Sequence, residues 1–123
     1  MKNKLIFLLI IIVLFSFSLT TTANLEKLVV HFIDVGQGNA TLIQLPNQET
    51  MLIDAGANNQ GKTVARYLRN LDIHQIDYLL GTHPHADHIG GLDYIINNFP
   101  IGKIYMPKVT HTTQTFRDVL LAV

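Results

Sequence analysis

The chain has 123 residues, nine Lys and Arg against nine Asp and Glu, six His and no Cys. That length holds at most one small domain. The lack of cysteine excludes a disulfide framework, a Cys-based zinc finger, an iron–sulfur cluster and a thiol nucleophile, so any metal must be held by His, Asp or Glu. Balanced charge and a pI near 7.0 argue against a polycationic nucleic-acid binder.

Two lysines within Met1 to Lys4 precede the unbroken apolar run Leu5 to Phe15, then Ser16 to Thr22 and Ala23. A basic start, a short apolar core and small residues at a cleavage site make residues 1–23 a signal peptide or a membrane anchor. The apolar stretch to Leu19 falls short of the roughly 20 residues that span a bilayer, which favours cleavage and a secreted or extracellular product. Without cleavage, the protein is membrane-anchored. Nothing polar interrupts the run to give a buried core helix its second face. Removing this segment takes away Lys2 and Lys4 and leaves residues 24–123 mildly acidic.

The rest predicts strands followed by alternating helices and strands. Lys27–Asp34, Ala40–Leu45 and Thr50–Asp54 are apolar or alternating, and the turn residues between them suggest an antiparallel meander. A helix over Lys62–Leu71 places Val64, Leu68 and Leu71 on one face. Next come a strand at Ile76–Thr82, the segment His83–Ile89, a helix at Gly91–Asn98, a strand at Lys103–Met106 and a helix at Thr113–Val123. The last helix carries Phe116, Val119, Leu120 and Val123 to the terminus without a Gly or polar tail, which predicts a core left open.

The chemistry concentrates in His83-Pro84-His85-Ala86-Asp87-His88, between a buried strand and a helix. Residues at i and i+2 of an extended turn point the same way, so His83 and His85 are placed to bind one divalent ion. Asp87 and His88 are adjacent and are expected to diverge from that direction, toward a second ion about 3.5–4 Å away. Two such cations make hydroxide from water near neutral pH, a nucleophile that needs no Ser or Cys. The competing reading makes Asp87 a helix cap and the histidines solvated loop residues. Asp54, at the carboxyl end of another strand, supports the site, because strand ends gather ligands at one rim of a sheet.

His83-x-His85-x-Asp87-His88 followed by Gly90-Gly91, with Leu52-Ile53-Asp54-Ala55-Gly56 upstream, resembles the amino-terminal half of the metallo-β-lactamase superfamily. The string His31-Phe32-Ile33-Asp34-Val35-Gly36-Gln37-Gly38-Asn39-Ala40 is similar to its ComEC-like competence-protein branch of secreted hydrolases. The resemblance implies an α+β fold, an αββα sandwich represented by its first half, with about five strands and three helices. It also implies a centre of two zinc ions, with manganese or iron as substitutes. His83 and His85 would bind the first ion and Asp87 and His88 the second, with Asp87 also beside the nucleophilic water as the catalytic carboxylate. Asp54 would orient the His loop from behind without binding metal.

Related sequences carry Asp where this chain has Asn39, which removes a charge from the Gly-Gln-Gly turn. Asp34, Gly36, Gly38 and Asn39 have either a turn role or a role close to substrate. The family's remaining ligands, a third His, a bridging Asp and a final His, come from a carboxyl-terminal half that would be needed for the complete site. Of the other histidines, His31 reads as a satisfied strand residue, His74 as a surface turn residue and His111 as a helix-start residue that metal could recruit. The expected activity is metal-dependent hydrolysis of a phosphodiester or ester, in a small molecule or a nucleic acid. The alternative is a truncated, inactive remnant or a non-catalytic metal-binding module.

Overall fold

A computed structural model describes residues 27–123; the leader lies outside the described residues. Five strands form one sheet in chain order: β1 (Val29–Phe32), β2 (Thr41–Gln44), β3 (Thr50–Ile53), β4 (Ile76–Leu80) and β5 (Ile101–Tyr105). The first three make the expected antiparallel meander, and β4 and β5 add in parallel. Parallel neighbours need crossovers, and helices supply them. Helix α1 (Gly61–Asn70) links β3 to β4, and α2 (Ala86–Ile89) with α3 (Leu92–Asn98) links β4 to β5; α4 (Gln114–Ala122) follows. The fold is metallo-β-lactamase-like and covers about half of that fold. It has one short helical turn, α2, where the sequence suggested only a loop.

The sheet's register explains the core. Leu42, Leu52 and Leu79 stand side by side across β2, β3 and β4, all fully buried. They form one apolar cluster with Val64 and Leu68 of α1, Ile95 of α3 and Phe116 and Val119 of α4. Burying such side chains contributes about 1.5–3 kcal/mol each. Side chains alternate between faces, so the neighbouring row Ile43, Met51 and Tyr78 lies on the reverse face, half-buried. Helix α1 packs on α3, and α4 packs on both α2 and α3. That packing ties the last helix to the segment carrying Asp87 and His88.

Boundaries shift for local reasons. Strand β5 begins at Ile101, two residues earlier than expected, because Ile101 pairs with Ile76 and Gly102 fits where a Cβ would lie 2.6 Å from the Asp77 carbonyl oxygen. Strand β4 ends at Leu80, earlier than the expected Thr82, because the Thr82 amide turns to Asp54. His31 bonds Tyr67 through Nδ1 at 3.0 Å and Gln44 through Nε2 at 2.9 Å, so it is a satisfied strand residue. His74 is exposed and bonds Asp72 at 2.9 Å.

On the reverse face the Tyr78 hydroxyl donates to Glu49 at 3.0 Å. That hydrogen bond, then the Glu49 charge, raises the phenol above its usual 10.0. The folded state therefore favours the neutral phenol, and this contribution to stability is complete below pH 10 and lost as pH rises through the raised value. In a phenolate absorbance titration, one of the four tyrosines is expected to ionise late, and Glu49→Gln should bring it back toward its usual range. An unchanged titration curve in that variant would contradict the assignment.

Candidate metal centre

The motif lies where the carboxyl ends of β3 and β4 meet. These strands run parallel with Ile53 opposite Leu80, so the chain leaves both at the same rim: Asp54 from one, Gly81, Thr82 and the His segment from the other. The Asp54 amide donates to the Leu80 carbonyl at 2.8 Å, and the Ala55 amide donates to the His88 carbonyl at 2.8 Å. Gly91 donates to the Gly56 carbonyl at 3.1 Å, so the loop after β3 holds the His segment along its length.

Asp54 is the buried hub. Its side chain is 2% exposed, and its φ of 56° lies in the left-handed region that Asp and Asn tolerate better than other side chains with a Cβ. One carboxylate oxygen accepts from the Thr82 amide at 2.8 Å. The other accepts from the Thr82 hydroxyl at 2.6 Å and from His88 Nδ1 at 2.8 Å. Thr82 also lies 3.0 Å from His83 Nδ1.

These contacts determine the imidazole tautomers. An ionised carboxylate only accepts, so His88 carries its proton on Nδ1 and leaves Nε2 bare. The single Thr82 proton is used on Asp54, so His83 must donate its own Nδ1 proton to Thr82, which leaves its Nε2 bare too. One carboxylate therefore prepares two imidazoles as metal ligands, the arrangement by which outer hydrogen bonds orient ligating histidines.

The rings of His83 and His85 have centroids 4.8 Å apart, and those of His83 and His88 are 3.9 Å apart. The sequence suggested that His88 would turn away from the His83 side. Instead its ring rests on that of His83, because Thr82 and Asp54 draw both Nδ1 atoms to one anchor. The nearer Asp87 carboxylate oxygen is 4.0 Å from His88 Nε2. His83, Asp87 and His88 are half-buried and His85 is exposed. As the side chains stand, no three His, Cys, Asp or Glu among the described residues are gathered around one point; the rings pack on one another. By donor chemistry the set fits a zinc-type ion: neutral imidazole nitrogens and a carboxylate, with no sulfur.

The turn between β1 and β2 buttresses this segment. Asp34 Oδ1 accepts from the Gly36 amide at 3.0 Å, a local turn. Gly38 passes so close to the His loop that a Cβ there would lie 1.9 Å from the Asp87 carbonyl oxygen. Asn39 donates its amide to that same carbonyl at 3.1 Å and accepts from the Gly56 amide at 2.9 Å. The Asn39 side-chain nitrogen lies 3.5 Å from His88 Nδ1, whose proton is already given to Asp54.

Two contributors have no clear mark in the sequence. From the residues Thr82 reads only as the end of a strand, although a hydroxyl directly before the first His, just past the strand that neighbours the one leading into Asp54, is a usable signal. The Gly38–Asp87 contact joins distant segments and leaves no local mark.

Known proteins resemble about half of this chain. It is 36% identical to hydroxyacylglutathione hydrolase of Aeromonas hydrophila over 59 residues, which is 48% of this chain and 22% of that protein. It is 40% identical to the anti-Pycsar protein Apyc1 of Bacillus phage BSP38 over 68 residues, 52% of this chain and 25% of that one. The chain thus spans about a quarter of the length of these relatives. Among solved structures, MEM-A1, a subclass B3 metallo-beta-lactamase isolated from a soil metagenome library, superposes with a TM-score of 0.51 at 28% identity, covering 57% of this chain and 27% of that one. Residues 33–122 match the family model of the metallo-beta-lactamase superfamily, and with the sheet, the rim and the His segment described above, the chain belongs to that superfamily.

Proposed function

We propose that this protein is a metal-dependent hydrolase with two zinc ions, acting on a phosphodiester or ester and related to the ComEC-like branch. The observation that carries this reading is the Asp54 hub, which leaves Nε2 of both His83 and His88 bare at the rim where His85 and Asp87 also lie. His83 and His85 would hold one ion, and Asp87 and His88 the other. Bound divalent ions supply an activated water and neutralise charge that develops on the substrate. The chain's own part is positional. Thr82 and Asp54 place the proton of each neutral imidazole on Nδ1, Gly38 and Asn39 fix the Asp87 backbone, and the Asp87 carboxylate orients the attacking water.

The branch assignment is supported by the string from His31 to Ala40. We read the leader, residues 1–23, as an export signal, which makes the protein secreted or extracellular. Among the described residues, no helix is long and apolar enough to cross a membrane. A second reading, a metal-binding module without catalysis, draws on the packed rather than spread arrangement of the imidazoles.

Metal analysis of the purified protein, with turnover of a chromogenic phosphodiester, separates the two. Zinc uptake by this chain is expected, with turnover that a chelator abolishes and zinc restores once the carboxyl-terminal ligands are supplied. Metal uptake without turnover would leave the module; no uptake at all would refute both.

A further inference from the structure

His111 takes no part in the proposed ion binding, yet it lies at the same rim. It sits between β5 and α4, half-buried, with its ring centroid 6.1 Å from that of His85. The buried Phe116 ring also meets it edge-on, at 6.1 Å and 72°. Helix α4 is anchored to this rim by packing on α2 and by the Thr115 hydroxyl, which donates to the Asn58 side-chain oxygen at 3.1 Å. His111 is therefore held by structure that is continuous with the metal segment.

Its tautomer is set differently from those of His83 and His88. Thr113 caps α4: its hydroxyl oxygen accepts from the Phe116 amide at 3.4 Å and lies 2.9 Å from His111 Nδ1. No carboxylate takes the Thr113 proton, so that proton is available to His111 Nδ1. A hydroxyl carries one proton and two lone pairs; one lone pair takes the Phe116 amide, and directing the proton to His111 Nδ1 gives the tautomer with the His111 proton on Nε2. In that tautomer His111 is an N–H donor with its ring beside that of His85, where His83 and His88 have bare nitrogens. The surrounding segment, Met106 to Thr113, contains Lys108 and no acidic residue, which suits an anionic group.

Resting on the function proposed above, we propose that His111 is a substrate-positioning residue, donating Nε2–H to an anionic oxygen of a phosphoester bound beside the ion at His83 and His85. It is a wall of the site and not a metal ligand.

The test loads the 123-residue protein with cobalt(II) and titrates it with inorganic phosphate, following the visible spectrum. His111→Ala is expected to keep cobalt stoichiometry and affinity while weakening phosphate roughly tenfold, the loss of one hydrogen bond to a charged acceptor. His111→Gln, which retains an N–H donor, should recover part of that loss, and its circular dichroism controls for folding. Equal phosphate affinity in wild type and His111→Ala would overturn the proposal, as would wild-type protein that binds cobalt but not phosphate. Loss of cobalt in both variants would make His111 a ligand and overturn it as well. Failure of the wild type to take up cobalt is a separate result, which removes the metal-hydrolase reading and this proposal with it.

Discussion

Asp54→Asn is expected to weaken zinc binding about 10- to 100-fold while leaving the fold in place, the scale on which outer partners of metal ligands act. Asn is the informative substitution because it matches Asp in shape and tolerates the backbone φ of 56°, which Ala would not adopt without strain. What changes is the direction of the hydrogen bonds. The Thr82 amide needs an acceptor at 2.8 Å, so the Asn oxygen takes that side and its NH2 group faces Thr82 Oγ1 and His88 Nδ1. An NH2 group donates, so His88 must accept at Nδ1 and carry its proton on Nε2, the atom that would face the ion. Thr82, no longer giving its proton to a carboxylate, is free to donate to His83 and shift that ring in the same way. Both ligands are then blocked without any change in their own identity. A zinc competition titration against a chromogenic chelator, with circular dichroism as the folding control, measures this. Wild-type affinity in Asp54→Asn would refute the hub.

Gly38→Ala is expected to destabilise the protein and to weaken metal binding together. At Gly38 the φ is 113°, and holding a side chain in so sparsely populated a conformation costs on the order of 1–3 kcal/mol. The overlap adds to that, because the new Cβ would lie 1.9 Å from the Asp87 carbonyl oxygen and 2.9 Å from its carbon. Backbone cannot swing aside as the tip of a long side chain does, so the β1–β2 turn and the His segment must separate. That separation breaks the Asn39–Asp87 hydrogen bond of 3.1 Å and moves the Asp87 carboxylate. Gly36 is the control. Its φ of 68° carries strain too, but its Cβ would meet nothing within 4 Å. Gly36→Ala should therefore cost about 1–2 kcal/mol and leave metal affinity unchanged. Urea unfolding midpoints and the same zinc titration compare the two variants, and equal behaviour would show that Gly38 acts only through its φ.

Both predictions depend on contacts between segments far apart in the chain, and these mark the limit of what the residues alone disclosed. The His83–His88 run was legible because its donors are contiguous and bounded by an apolar strand and a glycine pair. Asp54 was legible because it ends an apolar run, and parallel strands that leave a sheet side by side bring such ends together. The β1–β2–β3 meander followed from its turn residues and short linkers. The helical turn at Ala86–Ile89 was not legible, since four residues are too few to show a helical period.

By itself, then, the sequence determined the superfamily, the sheet's composition and the donor types at the rim, because motif, alternation and turn chemistry are local properties. Tertiary structure alone decided how those donors are prepared. Pairing β3 with β4 brings Thr82 to Asp54, a separation of 28 residues, and hydrogen-bond direction then fixes which nitrogen of each imidazole is bare. The β1–β2 turn is placed against the His segment 49 residues away, where only glycine fits. Docking of α4 brings His111 beside His85. None of these pairings has a local signature, because each arises from packing the sheet and helices into one core.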